Sequence, residues 1–189
     1  MAKIRTFIAV DVSTKIKTQA GRLMSQLEAS GAGYRWGQPE NLHVTLNFLG
    51  DVLETETPQV CRLVAQACQG ISPFSIEIGQ LTCVPSDEKP RTIWLGVTEG
   101  GDELTELNDR IACQLEVMRF PRERLDYQPH LTLGRLQRGG HWNRALLDLC
   151  EQNRDVVAGG CQVEQVVVYS SFLDRTGPTY TPMSRIKLK

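Results

Sequence analysis

The chain has 189 residues, of which 41% are hydrophobic and 23% are charged, and this composition is typical of a soluble globular protein. A formal net charge of −1 excludes a global positive field that would draw the chain onto nucleic acid, so an RNA ligand needs a local basic patch and a small pocket. No apolar run approaches the ~18 residues of a membrane span, which predicts a cytoplasmic protein with no membrane partner. The length favours one domain over residues 1–189.

The first part of the chain alternates predicted strands with predicted helices. Weak alternation predicts a strand over residues 3–11, and Ser13 or Thr14 then suits the cap of a helix. The apolar positions of that helix are Ile16, Ala20, Leu23, Met24 and Leu27. A strand over residues 43–50 follows. Thr57-Pro58 predicts the cap and first residue of a second helix, whose apolar positions are Val60, Leu63, Val64 and Ala67.

The second part continues this mixture of strands and helices. Strands are predicted over residues 74–79 and 91–97, and a third helix begins at Asp102. The buried stripe of that helix is Leu104, Leu107, Ile111, Leu115 and Met118. A strand from residue 130, a short helix with Trp142, Leu146 and Leu149, and two strands over 163–169 and 180–188 complete the chain. This order predicts an α+β fold with antiparallel sheets.

Two four-residue segments carry the strongest functional signal in the chain. Two of the three histidines occur in the first tetrad, His43-Val44-Thr45-Leu46, and in the second tetrad, His130-Leu131-Thr132-Leu133. Because side chains of a strand alternate between faces, each tetrad places its histidine and threonine together on one face. The apolar residues of each tetrad then anchor the strand in a core. Two such segments facing one another would offer two imidazoles and two hydroxyls to one small anionic group.

These side chains suit the hydrolysis of a cyclic phosphodiester. A neutral imidazole takes a proton from water, and a protonated imidazole gives one to the departing ribose oxygen. Thr45 and Thr132 would hold the non-bridging phosphate oxygens by hydrogen bonds and stabilise the charge that develops there. The scattered Asp and Glu residues suggest no hard-metal site, and the chemistry requires no metal or other cofactor in principle.

The paired tetrads resemble those of the 2H phosphoesterase family, in particular its RNA 2′,3′-cyclic phosphodiesterases, which are also described as 2′-5′ RNA ligases. Weaker similarity extends over most of the chain: residues 5–9 (RTFIA), Trp36, residues 41–50 (NLHVTLNFLG), residues 90–96 (PRTIWLG) and residues 129–135 (PHLTLGR). The resemblance implies two pseudo-symmetric lobes, each an antiparallel sheet with helices on the outside, and an active-site cleft between them. The tetrads themselves align, which indicates a faint internal duplication.

The resemblance also implies roles for individual residues. His43 would be the proton donor and His130 the proton acceptor, and the product would carry a 2′-phosphate end; reversal would join RNA ends through a 2′-5′ linkage. Spacing alone does not distinguish donor from acceptor. Arg135 matches the family pattern after the second tetrad and would grip a phosphate in a bidentate fork. Strict alternation places Arg135 on the opposite face, so it reaches the pocket only if the strand ends or bulges near Gly134, and is otherwise a surface arginine.

Several other residues have plain structural interpretations. His141 is predicted at the surface or at a helix start. Three tryptophans are predicted in the core, namely Trp36, Trp94 and Trp142, although Tyr34 and Trp36 would also suit stacking on a nucleobase. Six arginines fit a solvated face as well as an RNA footprint, and they are Arg119, Arg122, Arg124, Arg135, Arg138 and Arg144.

The six cysteines show no zinc-binding or disulfide-scaffold spacing and are predicted to be buried free thiols in a reducing compartment. Three functional hypotheses remain at this point. The first is a metal-independent cyclic phosphodiesterase acting on RNA ends, with no obligate protein partner. The second is the same chemistry on a small nucleotide or sugar cyclic phosphate. The third is a non-catalytic module that binds phosphorylated ends, although a pure binder would favour arginines over two titrating imidazoles.

Overall fold

The computed structural model describes residues 2–120, 127–173 and 177–189. The described residues form four α-helices: α1 (Thr14–Glu28), α2 (Thr57–Ala67), α3 (Gly101–Leu115) and α4 (Arg144–Gln152). They also form nine strands: β1 (Lys3–Asp11), β2 (Tyr34–Trp36), β3 (His43–Leu53), β4 (Phe74–Val84), β5 (Thr92–Glu99), β6 (His130–Leu136), β7 (Val157–Val163), β8 (Gln165–Leu173) and β9 (Pro178–Lys187).

The strands form one antiparallel sheet in the order β7-β4-β5-β6-β3-β1-β8-β9, and β2 pairs with β6 beside this path. The sheet consists of two halves that meet where β6 lies against β3. At this seam Val44 of β3 pairs with Leu131 of β6. The α+β fold with two antiparallel lobes is therefore confirmed. The lobes are halves of one continuous sheet, and both tetrad strands lie at its centre.

The two halves repeat the same order of elements. β1, α1 and β3 correspond to β5, α3 and β6, and each histidine follows the first residue of its helix by 29 positions (14 to 43 and 101 to 130). The helices are exchanged between the halves. Helix α1 packs against β7 and α4, whereas α3 packs against β3 and α2. One hydrophobic core cluster therefore contains residues of both halves.

The helices form where apolar spacing and capping residues predict them. Helix α1 buries the five predicted apolar residues, and the Ser13 side chain accepts a hydrogen bond from the backbone nitrogen of Ile16. Asn143 caps α4 in the same way. The predicted cap of α2 is wrong, because Thr57 is the first helical residue. Its hydroxyl instead donates to the Glu54 carbonyl in a preceding 3-10 turn.

Two short strands, β2 and β7, lie outside the predicted elements. The predicted strand over 163–169 corresponds to β8, which begins at Gln165, and only its first residue, Val163, belongs to β7. Gly159 and Gly160 interrupt the apolar pattern of β7, which hides it from a search for alternation. Trp142 precedes α4 and is 38% exposed, so its prediction as a core residue is wrong. Within the described ranges, no helix has both the length and the apolar character needed to cross a membrane.

Candidate active site

The pairing of Val44 with Leu131 brings the two tetrads side by side on adjacent antiparallel strands. Both residues are fully buried, so the residues that flank them point to the opposite face of the sheet. This register sets His43 across from Thr132, and Thr45 across from His130. In a regular antiparallel pair, facing residues are about 5 Å apart and diagonal neighbours about 7–8 Å apart. The two histidines occupy such a diagonal. All four side chains line one cleft.

Each imidazole is held by a hydrogen bond to the backbone two residues earlier. The Nδ1 atom of His43 lies 2.7 Å from the Asn41 carbonyl oxygen, and Nδ1 of His130 lies 2.7 Å from the Gln128 carbonyl oxygen. A carbonyl oxygen only accepts, so each Nδ1 carries a proton and donates it. In the neutral ring Nε2 is therefore unprotonated. Each imidazole can accept a proton at Nε2, and once protonated it can donate one from there.

Aromatic rings fix the plane of each imidazole. His43 stacks on Phe7 of β1 with ring centroids 4.8 Å apart, and the ring of Tyr180 meets it edge-on at 5.3 Å. His130 packs against Trp94 of β5 at 4.0 Å. Trp94 lines the cleft, so its prediction as a core residue misses a contact with a tetrad histidine.

Burial lowers the pKa of His43 below its ordinary value. The hydrogen bond to Asn41 and the negative charge of Asp11 act in the opposite direction, while the positive charge of Lys17 adds to the effect of burial. Asp11 is the register partner of His43 on β1. The balance favours a neutral imidazole in the absence of a ligand, and an anion bound beside it would raise its pKa.

A β-bulge follows the threonine of each tetrad. Leu46 of β3 is skipped in the pairing with β1, and Leu133 of β6 is skipped in the pairing with β5. The freed carbonyl oxygens still have partners. The Asn108 side-chain amide donates to Leu46 over 2.7 Å, and the backbone nitrogen of Gly37 donates to Leu133 over 2.8 Å. The two bulges are therefore specific, hydrogen-bonded features of the site.

The bulge at Leu133 decides the position of Arg135. It reverses the alternation beyond Thr132 and returns Arg135 to the face of His130, where it lines the cleft. The condition that the sequence set for Arg135, a bulge near Gly134, is met. Phe48 holds the equivalent position in the first half, five residues after its histidine, and is 51% exposed in the same cleft.

Two further arginines, Arg5 of β1 and Arg35 of β2, line the cleft. The sequence did not single them out as site residues. Together with Arg135 they lie around Tyr180: burial raises the pKa of Tyr180, and the positive charges of these three arginines oppose that shift. Among the described residues, no Asp or Glu lines the cleft. A chain of net charge −1 thus has a locally positive cleft, which suits an anionic ligand. Arg5 lies in the RTFIA segment, one of those that resemble the family, and its positive charge there could have identified it as a candidate anion-binding residue.

The threonine hydroxyls are free to bind a ligand. Thr45 and Thr132 are half-buried, and in the part of the chain that the structure describes neither Oγ1 makes a hydrogen bond to protein. The backbone carbonyl of Thr45 accepts a 2.8 Å hydrogen bond from the Tyr127 hydroxyl. This bond ties the segment that precedes His130 to the strand of the first tetrad.

The remaining candidate residues lie elsewhere. His141 is exposed before α4, as predicted, and Arg144 pairs with Asp148 on the surface of that helix. Tyr34 is buried and donates to the Pro90 carbonyl, which makes it a core residue rather than a nucleobase platform. Trp36 is partly buried and lines the cleft. Two of the interspersed arginines, Arg122 and Arg124, lie outside the described residues.

The cysteine prediction is correct in part. Cys68, Cys83 and Cys150 are buried free thiols, but Cys61 and Cys161 are only partly buried and Cys113 is exposed. Residues 2–120, 127–173 and 177–189 contain no group of three or more His, Cys, Asp or Glu side chains placed to hold a metal ion.

Comparison with known proteins relates the chain to phosphoesterases. The family model described as "LigT like Phosphoesterase" matches the chain twice, over residues 10–94 and 95–180. These two matches agree with the internal duplication, and each contains one tetrad. A protein of Methanothermobacter thermautotrophicus named RNA 2′,3′-cyclic phosphodiesterase is 34% identical over 98% of this chain and 100% of its own. A relative of the same name from Aquifex aeolicus is 30% identical over 100% of this chain and 99% of its own.

Solved structures share the fold at lower sequence identity. A Thermus thermophilus protein superimposes with a TM-score of 0.81 at 23% identity, with 98% of each chain covered. The LigT protein of E. coli, in a crystal structure with 3′-AMP, gives a TM-score of 0.76 at 21% identity, with 99% of each chain covered. The two-halved sheet is therefore a known architecture.

Proposed function

Since the chain belongs to the LigT-like phosphoesterase family, as its tetrads predicted, we propose that it hydrolyses RNA 2′,3′-cyclic phosphodiester ends to 2′-phosphate ends. The observation that carries this proposal is the arrangement of two Nδ1-tethered imidazoles and two free hydroxyls around one positively charged cleft. The names of the relatives agree with this substrate class. With the 5′-hydroxyl of a second RNA end in place of water, the same site would join the two ends through a 2′-5′ linkage.

The reaction needs one proton acceptor and one proton donor on opposite sides of the phosphorus atom. His130 takes a proton from water at Nε2, and the water oxygen forms a bond to phosphorus. The bond from phosphorus to the ribose O3′ breaks, and His43 gives that oxygen a proton from its own Nε2. The diagonal placement of the two histidines suits displacement in line, and each proton transfer of this kind typically contributes ~10²- to 10⁴-fold.

The environment of His43 sets a condition on its role as the donor. A donor must be protonated before the reaction, whereas burial is the largest influence on His43 and lowers its pKa in the absence of a ligand. The negative charges of Asp11 and of a bound phosphate both act to raise it. Substrate binding would thus charge the imidazole that later gives up its proton. In ligation His130 would take its proton from a 5′-hydroxyl in place of water, and His43 would again protonate the departing O3′.

Thr45, Thr132 and Arg135 are assigned to the non-bridging phosphate oxygens. Neither hydroxyl has a hydrogen-bond partner among the described residues, and both lie beside the imidazoles. They can therefore donate to an oxygen whose charge grows in the transition state. The Arg135 guanidinium adds a planar pair of donors. A phosphate is thereby positioned between the histidines without a metal ligand from the protein.

The proposal also states which residues form the catalytic unit and in which cellular compartment it acts. We treat residues 1–189 as one catalytic unit, because both halves supply a tetrad and the helices α1 and α3 are exchanged between them. We place the activity in the cytoplasm. Six cysteines with free thiols, three of them buried, favour a reducing compartment.

The test is hydrolysis of an end-labelled RNA with a 2′,3′-cyclic phosphate, in the presence of a chelator, with analysis of the product end. His43→Ala and His130→Ala should each lower kcat by at least ~10²-fold without unfolding the chain. His141→Ala is the matched control, since it removes the third histidine outside the cleft.

Near-wild-type hydrolysis by both tetrad variants would end the proposal. A 3′-phosphate product would show that the other ribose oxygen leaves. Equal turnover of a cyclic mononucleotide and a longer RNA would favour a small nucleotide as the substrate. Binding without turnover, retained in both variants, would indicate a module that only binds phosphorylated ends.

A further inference from the structure

Arg35 and Arg135 occupy an unfavourable position relative to each other unless an anion is present. They are direct register partners on β2 and β6, and both side chains line the cleft. Like charges directly opposite on antiparallel strands repel. Within the described residues neither guanidinium forms an ion pair with a carboxylate. Two guanidinium groups in one cleft, with no carboxylate partner among the described residues, favour the binding of anionic groups there.

The surroundings of Arg35 contain a second hydrogen-bond donor, the side-chain amide of Gln38, beside the same glycine. A Cβ atom placed on Gly177 would lie 3.5 Å from Nη2 of Arg35 and 3.7 Å from Nε2 of Gln38. The Oε1 atom of Gln38 accepts a 2.9 Å hydrogen bond from the Asn41 side chain. That bond occupies the acceptor atom of the Gln38 amide and leaves its N–H₂ group as the donor nearest to Arg35. A guanidinium and an amide donor close together suit a phosphate oxygen.

This cluster is connected to the catalytic centre through Asn41. The Asn41 side-chain amide also donates to the Pro178 carbonyl over 3.0 Å, and its backbone carbonyl accepts the hydrogen bond from Nδ1 of His43. Asn41 therefore contacts both Gln38 and His43, and it would connect an anion bound at Arg35 and Gln38 to the imidazole of His43. The cleft has a volume of about 1110 Å³, which exceeds the roughly 300–1,000 Å³ of pockets that hold one small ligand.

We propose that Arg35 and Gln38 form a second phosphate subsite, which binds the 5′-phosphate group of the nucleotide that carries the cyclic phosphate. This inference rests on the proposed function and extends it to specificity. In an RNA this group is the phosphodiester that links the last nucleotide to the rest of the strand. The subsite distinguishes an RNA end from a nucleoside 2′,3′-cyclic phosphate, which has no such group.

The test compares three substrates: adenosine 2′,3′-cyclic phosphate, the same compound with a 5′-phosphate, and the dinucleotide that ends in it. For the wild-type chain, the added phosphate should raise kcat/KM by about 10- to 100-fold, the value of a charge-assisted contact. Arg35→Gln should remove most of this gain and lower kcat/KM for the simple nucleoside substrate by a much smaller factor. A gain with the dinucleotide alone would identify an internal phosphodiester, and a gain with both would identify any 5′-phosphate.

Three controls separate this subsite from other roles. Arg22→Gln, an exposed arginine of α1 outside the cleft, should keep the full gain. Arg135→Gln should lower kcat/KM for all three substrates by a similar factor. Because the facing guanidinium groups repel, Arg35→Gln should have a Tm equal to or above that of the wild type. A loss of Tm would instead indicate a structural role.

Equal effects of Arg35→Gln on all three substrates, or no effect on any, would overturn the proposal. Calorimetric titration with adenosine 2′-phosphate and adenosine 2′,5′-bisphosphate keeps the test independent of turnover. The bisphosphate should bind the wild type about 10- to 100-fold more tightly, and Arg35→Gln should bind both equally. If the wild type binds the bisphosphate more tightly but hydrolyses none of the three substrates, the result would contradict the proposed function and not the second phosphate subsite.

Discussion

Val44 and Leu131 pair across the seam between the two halves of the sheet, and neither side chain is exposed to solvent. Their burial on one face fixes the four tetrad side chains on the other. A slip of one residue by either strand along this seam would turn the histidine and threonine of its tetrad into the core. The buried apolar pair therefore sets the register of the catalytic groups, although it lies on the opposite face of the sheet from the cleft.

Shortening this pair should affect both stability and catalysis. Leu131→Ala is expected to lower the free energy of unfolding by about 2–5 kcal/mol, through lost burial and the cavity left behind. It should also lower kcat under conditions where the variant stays folded, because β6 can then shift against β3. Urea unfolding and turnover of a cyclic phosphate measure the two effects. Val117→Ala, at a side chain 72% exposed, should change neither. Unchanged kcat in Leu131→Ala would show that other contacts hold the register.

The sequence predicted the centre of the site because its signal is local. Within each tetrad the alternation of a strand is enough to place histidine and threonine on one face. Arg35 reaches the cleft only through the pairing of β2 with β6, which joins residues about a hundred positions apart. The bulge that redirects Arg135 depends on a hydrogen bond from Gly37. Neither relationship leaves a pattern in neighbouring residues, so neither could be read from spacing.

The bulge in the first half depends in the same way on Asn108 of α3. Asn108→Ala leaves the buried Leu46 carbonyl without its 2.7 Å hydrogen bond, and should lower the free energy of unfolding by about 1–3 kcal/mol. It should also lower kcat, because the bulge positions Thr45 and Phe48. Asp109→Ala, at the exposed neighbouring position, is the control for helix propensity. Equal unfolding midpoints for the two variants would argue against a role of Asn108 in the bulge.

The threonines provide a sharper test of phosphate positioning. Thr45→Val and Thr132→Val keep the shape of the side chain and remove the hydroxyl. Each should lower kcat by about 10²-fold, as expected for the loss of a donor to a developing negative charge. Thr45→Ser and Thr132→Ser retain the hydroxyl and should recover much of the rate. Steady-state kinetics on a cyclic phosphate provide kcat and KM separately. An effect confined to KM would mean that the hydroxyls bind the ground state and the transition state equally.

Acid should destabilise the folded chain partly through His43. Burial lowers the pKa of His43 in the folded state below its value of about 6.5 in an unfolded chain. As the pH falls below about 6.5, the unfolded state therefore binds a proton that the folded state does not, and the free energy of unfolding decreases until the pH passes the lowered pKa. Above about 6.5 this contribution vanishes. His43→Gln should show a smaller loss of stability between pH 8 and pH 5 than the wild type, measured by urea unfolding at each pH. His141→Gln, which removes an exposed histidine, should keep the wild-type dependence. If His43→Gln loses as much stability as the wild type on acidification, the imidazole of His43 is not held in its neutral form by the fold.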